Sequence, residues 1–219
     1  MKHSSGRQMF RRLFPLSGLL VALGAASLAH GQTPLDDYLA HLKTLRTGFS
    51  QVVTDGRGLQ VQKAAGTLLI VRPGKFRWEL TPDGSAAPQL MVADGKNLWF
   101  YDRDLEQVSV KSAATALTAT PASLLAGDEN IRELFTVSPA GRRDGFDWVK
   151  VVPKQGDADF REAQLAFNRS ELKRMVLKDK LGQTVRLEFV SSERNAPVSD
   201  AEVKFTPPQS ADVIGTPVP

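Results

Sequence analysis

The sequence predicts an α+β fold in which one large antiparallel sheet carries a few short helices on one face. Three observations support this prediction. An apolar stripe at helical spacing follows residue 33, side chains then alternate between apolar and polar, and turns rich in Gly and Asp separate short runs. Connections this short join antiparallel neighbours, because parallel strands need a crossover of a dozen or more residues.

The first predicted element is a helix that begins at Thr33. Thr33 is a good N-cap, Pro34 suits the first helical position, and the acidic pair that follows favours the positive end of the helix dipole. Four leucines then recur at helical spacing, at positions 35, 39, 42 and 45. The helix is predicted to run to about Arg46, with Gly48 marking its exit.

Six strands are predicted next, because the hydrophobic period changes from helical spacing to two. They are Phe49–Thr54, Leu59–Arg72, Phe76–Leu80, Gln89–Ala93, Leu98–Tyr101 and Glu106–Val110. Turn-forming pairs such as Asp55-Gly56 and Pro73-Gly74 separate them.

A helical interruption and a second set of strands complete the chain. Two short helices are predicted, over Thr120–Leu125 and Asp128–Phe135. The later strands are predicted at Trp148–Val152, Phe160–Phe167, Leu172–Lys178, Thr184–Phe189 and Val203–Phe205. The tail is rich in Pro and is predicted to be irregular.

Residues 1–31 are predicted to be a secretory signal peptide. A basic segment ends at Arg12, an apolar run follows over Leu13–Leu28, and small residues precede a cleavage point after Gly31. The run is short for a membrane span, which needs about 20 residues.

Residues 32–219 are then expected to form a single domain of 188 residues. The leader takes four of the 28 basic residues and none of the 24 acidic ones, so the remaining chain has 24 of each and is neutral. This balance argues against nucleic acid as a partner.

The remaining side chains offer little for catalysis or for metal binding. There is no Cys, which excludes disulfides, thiolate chemistry and a lipid-modified first cysteine. His41 is the one histidine outside the leader and lies off the leucine stripe. The carboxylate pairs Asp102/Asp104 and Asp157/Asp159 lie in segments typical of turns, where Asp is common. We therefore expect no enzyme activity, no metal site and no cofactor.

Strand parity places Leu68, Ile70 and Arg72 on one face of the sheet, and Phe76, Trp78 and Leu80 also share a face. Arg72 would thus lie at the edge of an apolar interior, where a guanidinium needs acceptors such as the free carbonyls of a helix end. Without further information, a solvated residue at the end of a strand is the better explanation for Arg72. Patterning alone favours helices that fill an ordinary core over helices that cover a cavity.

Several blocks of this sequence resemble the LolA family of periplasmic lipoprotein carriers. In chain order they are Phe49-Ser50-Gln51, Gly66 with its apolar strand, Arg72-Pro73-Gly74-Lys75-Phe76-Arg77-Trp78, Asp94-Gly95-Lys96-Asn97-Leu98-Trp99-Phe100-Tyr101, Leu105-Glu106-Gln107, Thr120-Pro121 with Leu124-Leu125, Asp179 with Gly182-Gln183, and Phe205-Thr206-Pro207-Pro208. They cover nearly all of residues 32–219, and the blocks beginning at Arg72 and Asp94 are fairly specific together.

The resemblance implies an incomplete antiparallel β-barrel of about ten to eleven strands, covered by a lid of about three short helices over an apolar cavity. It implies that Arg72 latches the lid by hydrogen bonds to its backbone. The residues expected to form the cavity and lid are Leu39, Leu42, Leu68, Ile70, Phe76, Trp78, Leu124 and Leu125. Some carriers continue into an extra helix and strand, whereas this chain ends soon after Pro208.

The resemblance also implies partners and a compartment. The cargo would be acylated lipoproteins, received in the periplasm from an inner-membrane ABC-type release complex (LolCDE) and passed to an outer-membrane acceptor lipoprotein (LolB). We expect a monomer. Three alternatives stay open: a similar carrier for other lipids, a lipid- or lipoprotein-sensing regulatory module, and a hydrolase that uses the acidic pairs.

Overall fold

A computed structural model describes residues 31–85, 87–113, 120–127, 131–155 and 158–219. Apart from Gly31, the predicted signal peptide lies outside the described residues. The first helix, α1, spans Pro34–Ala40 and is capped by Thr33, whose side chain and that of Asp36 each accept a hydrogen bond from the other residue's backbone. No helix in the described ranges is long and apolar enough to cross a membrane.

The predicted end of this helix at about Arg46 is wrong. His41 is the C-cap of α1, and the first strand begins at Thr44. Leu45 keeps helical spacing with the earlier leucines, but it pairs with Ile70 on one side and with Arg194 on the other. Two neighbouring strands therefore supply backbone hydrogen bonds that outweigh the local helical pattern.

The first six strands form a meander with short turns, as predicted. They are β1 (Thr44–Thr54), β2 (Gln60–Val71), β3 (Lys75–Pro82), β4 (Gln89–Asp94), β5 (Asn97–Asp102) and β6 (Gln107–Ser112). Each of the first five pairs antiparallel with the strand that follows it.

Two short helices follow in the predicted region, but the second is shorter than expected. They are α2 (Pro121–Ala126) and α3 (Ile131–Leu134), and residues 128–130 of the second predicted helix lie outside the described residues. Phe135, predicted to end that helix, instead begins strand β7 (Phe135–Arg143), which the sequence analysis missed. Pro139 inside this run had weakened its strand signal.

The remaining strands are β8 (Phe146–Pro153), β9 (Phe160–Asn168), β10 (Glu171–Asp179), β11 (Thr184–Arg194) and β12 (Asp212–Ile214). The predicted strand at Val203–Phe205 is wrong, because a 3₁₀ helix over Asp200–Val203 occupies its start. The tail, predicted to be irregular, contains β12, which pairs in parallel with β6.

All twelve strands belong to one sheet in the order β12-β6-β5-β4-β3-β2-β1-β11-β10-β9-β8-β7. The sheet is open, with β12 at one edge and β7 at the other. The α+β class and the incomplete antiparallel barrel are confirmed, while the strand number exceeds the expected ten to eleven.

Each face of the sheet carries its own hydrophobic cluster. The larger cluster lies on the face covered by the helices, which we call the inner face, and includes Phe76 and Trp78. The smaller one lies on the opposite, outer face, where Val92 and Trp99 pack with Phe205 from the tail. Alternating side chains of β4 and β5 therefore serve both clusters.

Candidate functional site

The residues expected to form the cavity and lid are brought together in one buried cluster on the inner face. Leu39 and Leu42 come from α1 and the link after it, and Leu124 and Leu125 come from α2. Each of the eight is at most 8% exposed; they are Leu39, Leu42, Leu68, Ile70, Phe76, Trp78, Leu124 and Leu125. We call α1 and α2 the lid, because their apolar side chains occupy the space against the inner face.

Strand register sets the floor beneath the lid. Leu68 lies opposite Trp78 and Ile70 lies opposite Phe76, so two large side chains from each strand share the inner face. Phe49 of β1 lies opposite Gly66 and its ring centroid is 4.4 Å from that of Trp78. A side chain at position 66 would block this approach, since a Cβ there would lie 2.8 Å from Phe49 Cζ.

The lid contacts both halves of the sheet. On the β9 side, the Tyr38 ring of α1 packs 5.6 Å from the ring of Phe167. Burial raises the pKa of Tyr38 to about 12, so this ring stays neutral at physiological pH. On the other side, α2 packs on β2 and β3. The lid thus contacts strands on both sides of β1.

Arg72, immediately after β2, ties the ends of the two lid helices together. Its Nε donates to the carbonyl of Gly127 after α2 at 3.0 Å, and its Nη1 donates to the carbonyl of Leu39 in α1. Carbonyls at helix ends lack partners within the helix and carry partial negative charge, which suits a guanidinium. The nearby Gly74 amide also donates to Ala126, at 2.7 Å. These hydrogen bonds place the Arg72 side chain on the backbone of both lid helices, and the latching role that the resemblance implied stays a prediction.

A second polar link, not foreseen from the sequence, joins the start of α1 to α3. Arg132 donates from Nε and Nη2 to the two carboxylate oxygens of Asp36, at 2.9 and 2.7 Å. Burial alone would raise the pKa of Asp36, but hydrogen bonds from Arg132 and Thr33 outweigh it and lower the pKa below 3.8. The partners are 96 residues apart, and no local pattern indicates such a pair.

Part of the inner face is only half covered by the described residues. Leu80, Met91, Leu98 and Val185 pack against the large cluster but remain partly exposed. They extend the apolar surface beyond the lid, toward β4 and β5 on one side and β11 on the other. Sequence reasoning did not single them out, although Leu80 followed the parity of Phe76 and Trp78.

Two of the acidic residues considered for catalysis, Asp102 and Asp104, take part in hydrogen bonds at a turn. Asp102 caps a turn by accepting from the amides of Asp104 and Leu105, and Asp104 accepts from Ser85. Asp157 lies outside the described residues. His41 is exposed, and its Nδ1 lies 2.9 Å from the carbonyl of Asp37. Within the described ranges, no three His, Asp or Glu side chains are grouped to hold a metal ion.

One surface cleft is a poor match for hydrocarbon. It has a volume of about 570 Å³ and is lined mainly by polar residues of the outer face, including Arg46, Arg77, Glu193 and Glu202. Two of these charges are paired with each other, since Arg46 Nη2 lies 2.7 Å from Glu202 Oε1. An apolar ligand is better matched by the inner face, where displacing the lid would expose a continuous apolar surface.

Comparisons with known proteins agree with this geometry. A family model described as "Outer membrane lipoprotein carrier protein LolA" matches residues 40–206. The outer-membrane lipoprotein carrier protein of Dechloromonas aromatica is 40% identical over 202 residues, covering 92% of this chain and 93% of that protein. The protein of the same name from Chromobacterium violaceum is 37% identical, covering 92% and 97%.

A solved structure supports the fold independently. An uncharacterized conserved protein from Thermus thermophilus superposes with a TM-score of 0.53 at 18% identity, covering 83% of this chain and 96% of that one. At this identity the likeness concerns the fold alone.

Proposed function

Because the chain belongs to the LolA family of outer membrane lipoprotein carrier proteins, we propose that it shields the acyl chains of lipoproteins against its inner face. Each acyl CH₂ group left in water costs about 0.8 kcal/mol, so a lipoprotein with several chains does not cross an aqueous space alone. An apolar surface beneath a displaceable lid offsets that cost while the cargo travels.

The observation that carries this proposal is the position of Arg72. One side chain bonds the ends of both lid helices, and both helices cover the apolar floor. A carrier without cargo needs such a cover, because a large exposed apolar patch promotes aggregation. In this proposal the structure corresponds to the closed, cargo-free form. Acyl chains would occupy the floor around Leu68, Ile70, Phe76 and Trp78 after the lid moves.

The latch must be weak enough for cargo to open it. A hydrogen bond to a charged group contributes about 1.5–3 kcal/mol, which burial of a few CH₂ groups can offset. Reforming the same bonds when cargo leaves would favour release. The latch therefore makes binding reversible, as hand-over to an acceptor requires.

The finer parts of the proposal concern partners and compartment. We propose that the protein works in the periplasm, takes lipoproteins from an ABC-type release complex (LolCDE) and delivers them to an outer-membrane acceptor lipoprotein (LolB). We also propose that it acts as a carrier without catalysing a reaction. Support for these points comes from the relatives' shared name and from the predicted signal peptide.

Replacing Arg72 by Leu tests the latch. The variant should fold and bind a fluorescent triacylated lipopeptide, but it should transfer that lipopeptide to acceptor-containing vesicles about tenfold more slowly. The physical reason is that the variant loses free energy that favours the closed lid. A loss of about 1.4 kcal/mol corresponds to a tenfold change in the transfer rate. Transfer is measured by the change in fluorescence after mixing loaded carrier with vesicles.

Arg77→Leu is the matched control, because Arg77 lies on the neighbouring strand and pairs with Glu79 instead of contacting the lid. It should transfer cargo at the wild-type rate. Equal transfer rates for Arg72→Leu and wild type would contradict the latch. Failure of the wild-type protein to bind the lipopeptide would contradict the carrier function itself.

A further inference from the structure

Gln51 is a polar residue on the apolar inner face. It lies in β1, where it shares a face with Phe49 and is opposite Ala64 of β2 and Leu187 of β11. Leu187 belongs to the large inner cluster, so the Gln51 side chain also faces the inner side of the sheet. The Gln51 residue is only 8% exposed. Its side chain thus shares the inner face with apolar neighbours from the two adjacent strands.

The Gln51 amide differs from the other buried polar side chains in having no hydrogen-bond partner among the described residues. Thr33 bonds Asp36, Thr47 bonds the carbonyl of Val190, Asn97 bonds Val218 and Ser123 bonds Thr120. Each of those pairs explains why a polar group is tolerated in the interior. Gln51 has no such explanation in the part of the chain that the structure describes.

The Gln51 amide is nevertheless not sealed inside the protein. No side-chain nitrogen or oxygen of the described residues is both closed to solvent and unpaired. The amide atoms of Gln51 must therefore border an accessible space. Val185, which is partly exposed, lies diagonally across from Gln51 on β11. The amide is accordingly open to a molecule that occupies the inner face.

The chemistry of an amide restricts what this molecule offers. A glutamine supplies two N–H donors and one acceptor oxygen, whereas a hydrocarbon tail supplies neither. The ester or amide that links each acyl chain to the rest of the lipoprotein has a carbonyl oxygen, which accepts a hydrogen bond. Hydrocarbon that displaced water from Gln51 would leave the amide unpaired, while a carbonyl would replace the lost bond.

We propose that Gln51 Nε2 donates a hydrogen bond to the ester or amide carbonyl of a bound acyl chain. This inference rests on the proposed function and adds a polar contact that selects acyl esters and amides over plain hydrocarbon. It also orients the chain. Gln51 lies six residues along β1 from Leu45, which is about 20 Å in an extended strand. The tail would run from Gln51 toward the lid.

The test compares two ligands that differ in the carbonyl group. Methyl palmitate and hexadecane each compete with a fluorescent fatty-acid probe for wild-type protein and for Gln51→Met, an unbranched apolar replacement of similar length. In the variant, affinity for methyl palmitate should fall about tenfold, the range expected when one hydrogen bond is lost. Affinity for hexadecane should stay the same or rise. Gln107→Met, at an exposed position of β6, should change neither value.

A second measurement separates a direct contact from a structural role. The infrared carbonyl band of methyl palmitate labelled with ¹³C at the carbonyl should lie at the hydrogen-bonded frequency on wild type and at a higher, free frequency on Gln51→Met. If Gln51→Met is unfolded by circular dichroism, Gln51→Leu takes its place. An unchanged band, or an unchanged ratio of ester to alkane affinity, overturns the role of Gln51 and leaves the carrier function standing. Absence of binding of both ligands to wild type overturns the carrier function instead.

Discussion

At the scale of single residues, Gly66 shows how tightly the floor of the inner face is built. A Cβ at position 66 would lie 1.9 Å from the carbonyl oxygen of Glu79 on the adjacent strand. It would also meet the ring of Phe49, which packs on Trp78. The absence of a side chain therefore allows one strand and one aromatic ring to approach together. Backbone oxygen cannot move aside without breaking the pairing of β2 with β3.

Replacing Gly66 by Ala should destabilise the protein by about 3 kcal/mol, because overpacking forces shifts of both backbone and ring. Urea unfolding followed by tryptophan fluorescence measures this change. Gly48→Ala is the control, since the nearest atom to its Cβ would be Cγ2 of the exposed Val190 side chain, at 3.1 Å. That variant should lose less than about 1 kcal/mol. Similar losses in the two variants would contradict the steric explanation.

At the scale of elements, α1 depends on contacts beyond its own sequence. It has seven residues, whereas isolated helices shorter than about 12 residues are marginal in water. Three buried side chains anchor it to the sheet: Leu35, Tyr38 and Leu39. Asp36 serves the capping box and also pairs with Arg132. The carboxylate thus stabilises both the start of α1 and its connection to α3.

Replacing Asp36 by Asn should destabilise the protein at pH 7 by about 1 kcal/mol, which is the stabilisation that a negative charge typically gives at the start of a helix. The pKa of Asp36 is lowered on folding, so its contribution is present above 3.8 and is lost as pH falls through the folded value. The difference between wild type and variant should therefore vanish in acid. Urea unfolding between pH 7 and pH 2.5 measures it.

Asp37→Asn is the control for this prediction. Asp37 lies next in the same helical turn, but its carboxylate bonds Gln32 instead of an arginine. That substitution should have a smaller effect, with little dependence on pH. A difference between Asp36→Asn and wild type that persists at the lowest pH would exclude the carboxylate of Asp36 as its source.

At the scale of the whole molecule, the C-terminal segment Asp200–Pro219, which we call the strap, covers the outer face of β4–β6. Phe205 packs on the rings of Trp99 and Tyr101, with centroids 5.7 and 5.8 Å away. Farther along, β12 pairs with β6, and Val218 exchanges two hydrogen bonds with the buried amide of Asn97. The strap therefore protects an outer cluster that the inner lid does not reach.

Removing residues 209–219 should lower stability by about 2 kcal/mol, since the outer cluster loses Ala211 and Asn97 loses both hydrogen bonds. The urea midpoint measures the loss. Deleting only Pro219 is the control, because its one described contact is an exposed hydrogen bond from Lys96. A truncated protein as stable as the full chain would show that the strap contributes nothing to the fold.

The sequence predicted most strands of the sheet but fewer of the contacts that join distant segments of the chain. The period-two pattern and the turn residues located β2–β6 closely, because a turn depends on only a few neighbouring residues. The predicted end of the first helix was wrong because Leu45 keeps helical spacing with the earlier leucines although it pairs with two strands. Strand β7 was missed because Pro139 weakens its pattern, although Asp144 and Gly145 form the turn that follows.

For the site, the sequence predicted, through a family resemblance, a set of apolar residues and Arg72 as parts of the cavity and lid, and the structure places these apolar residues in one cluster with Arg72 bonded to both lid helices. Only the tertiary structure decided that Asp36 pairs with Arg132, that the strap covers the outer face and that Gln51 has no partner among the described residues. The physical reason is distance along the chain. Periodicity and turn chemistry act over a few residues, whereas these contacts depend on how distant strands and helices are brought together.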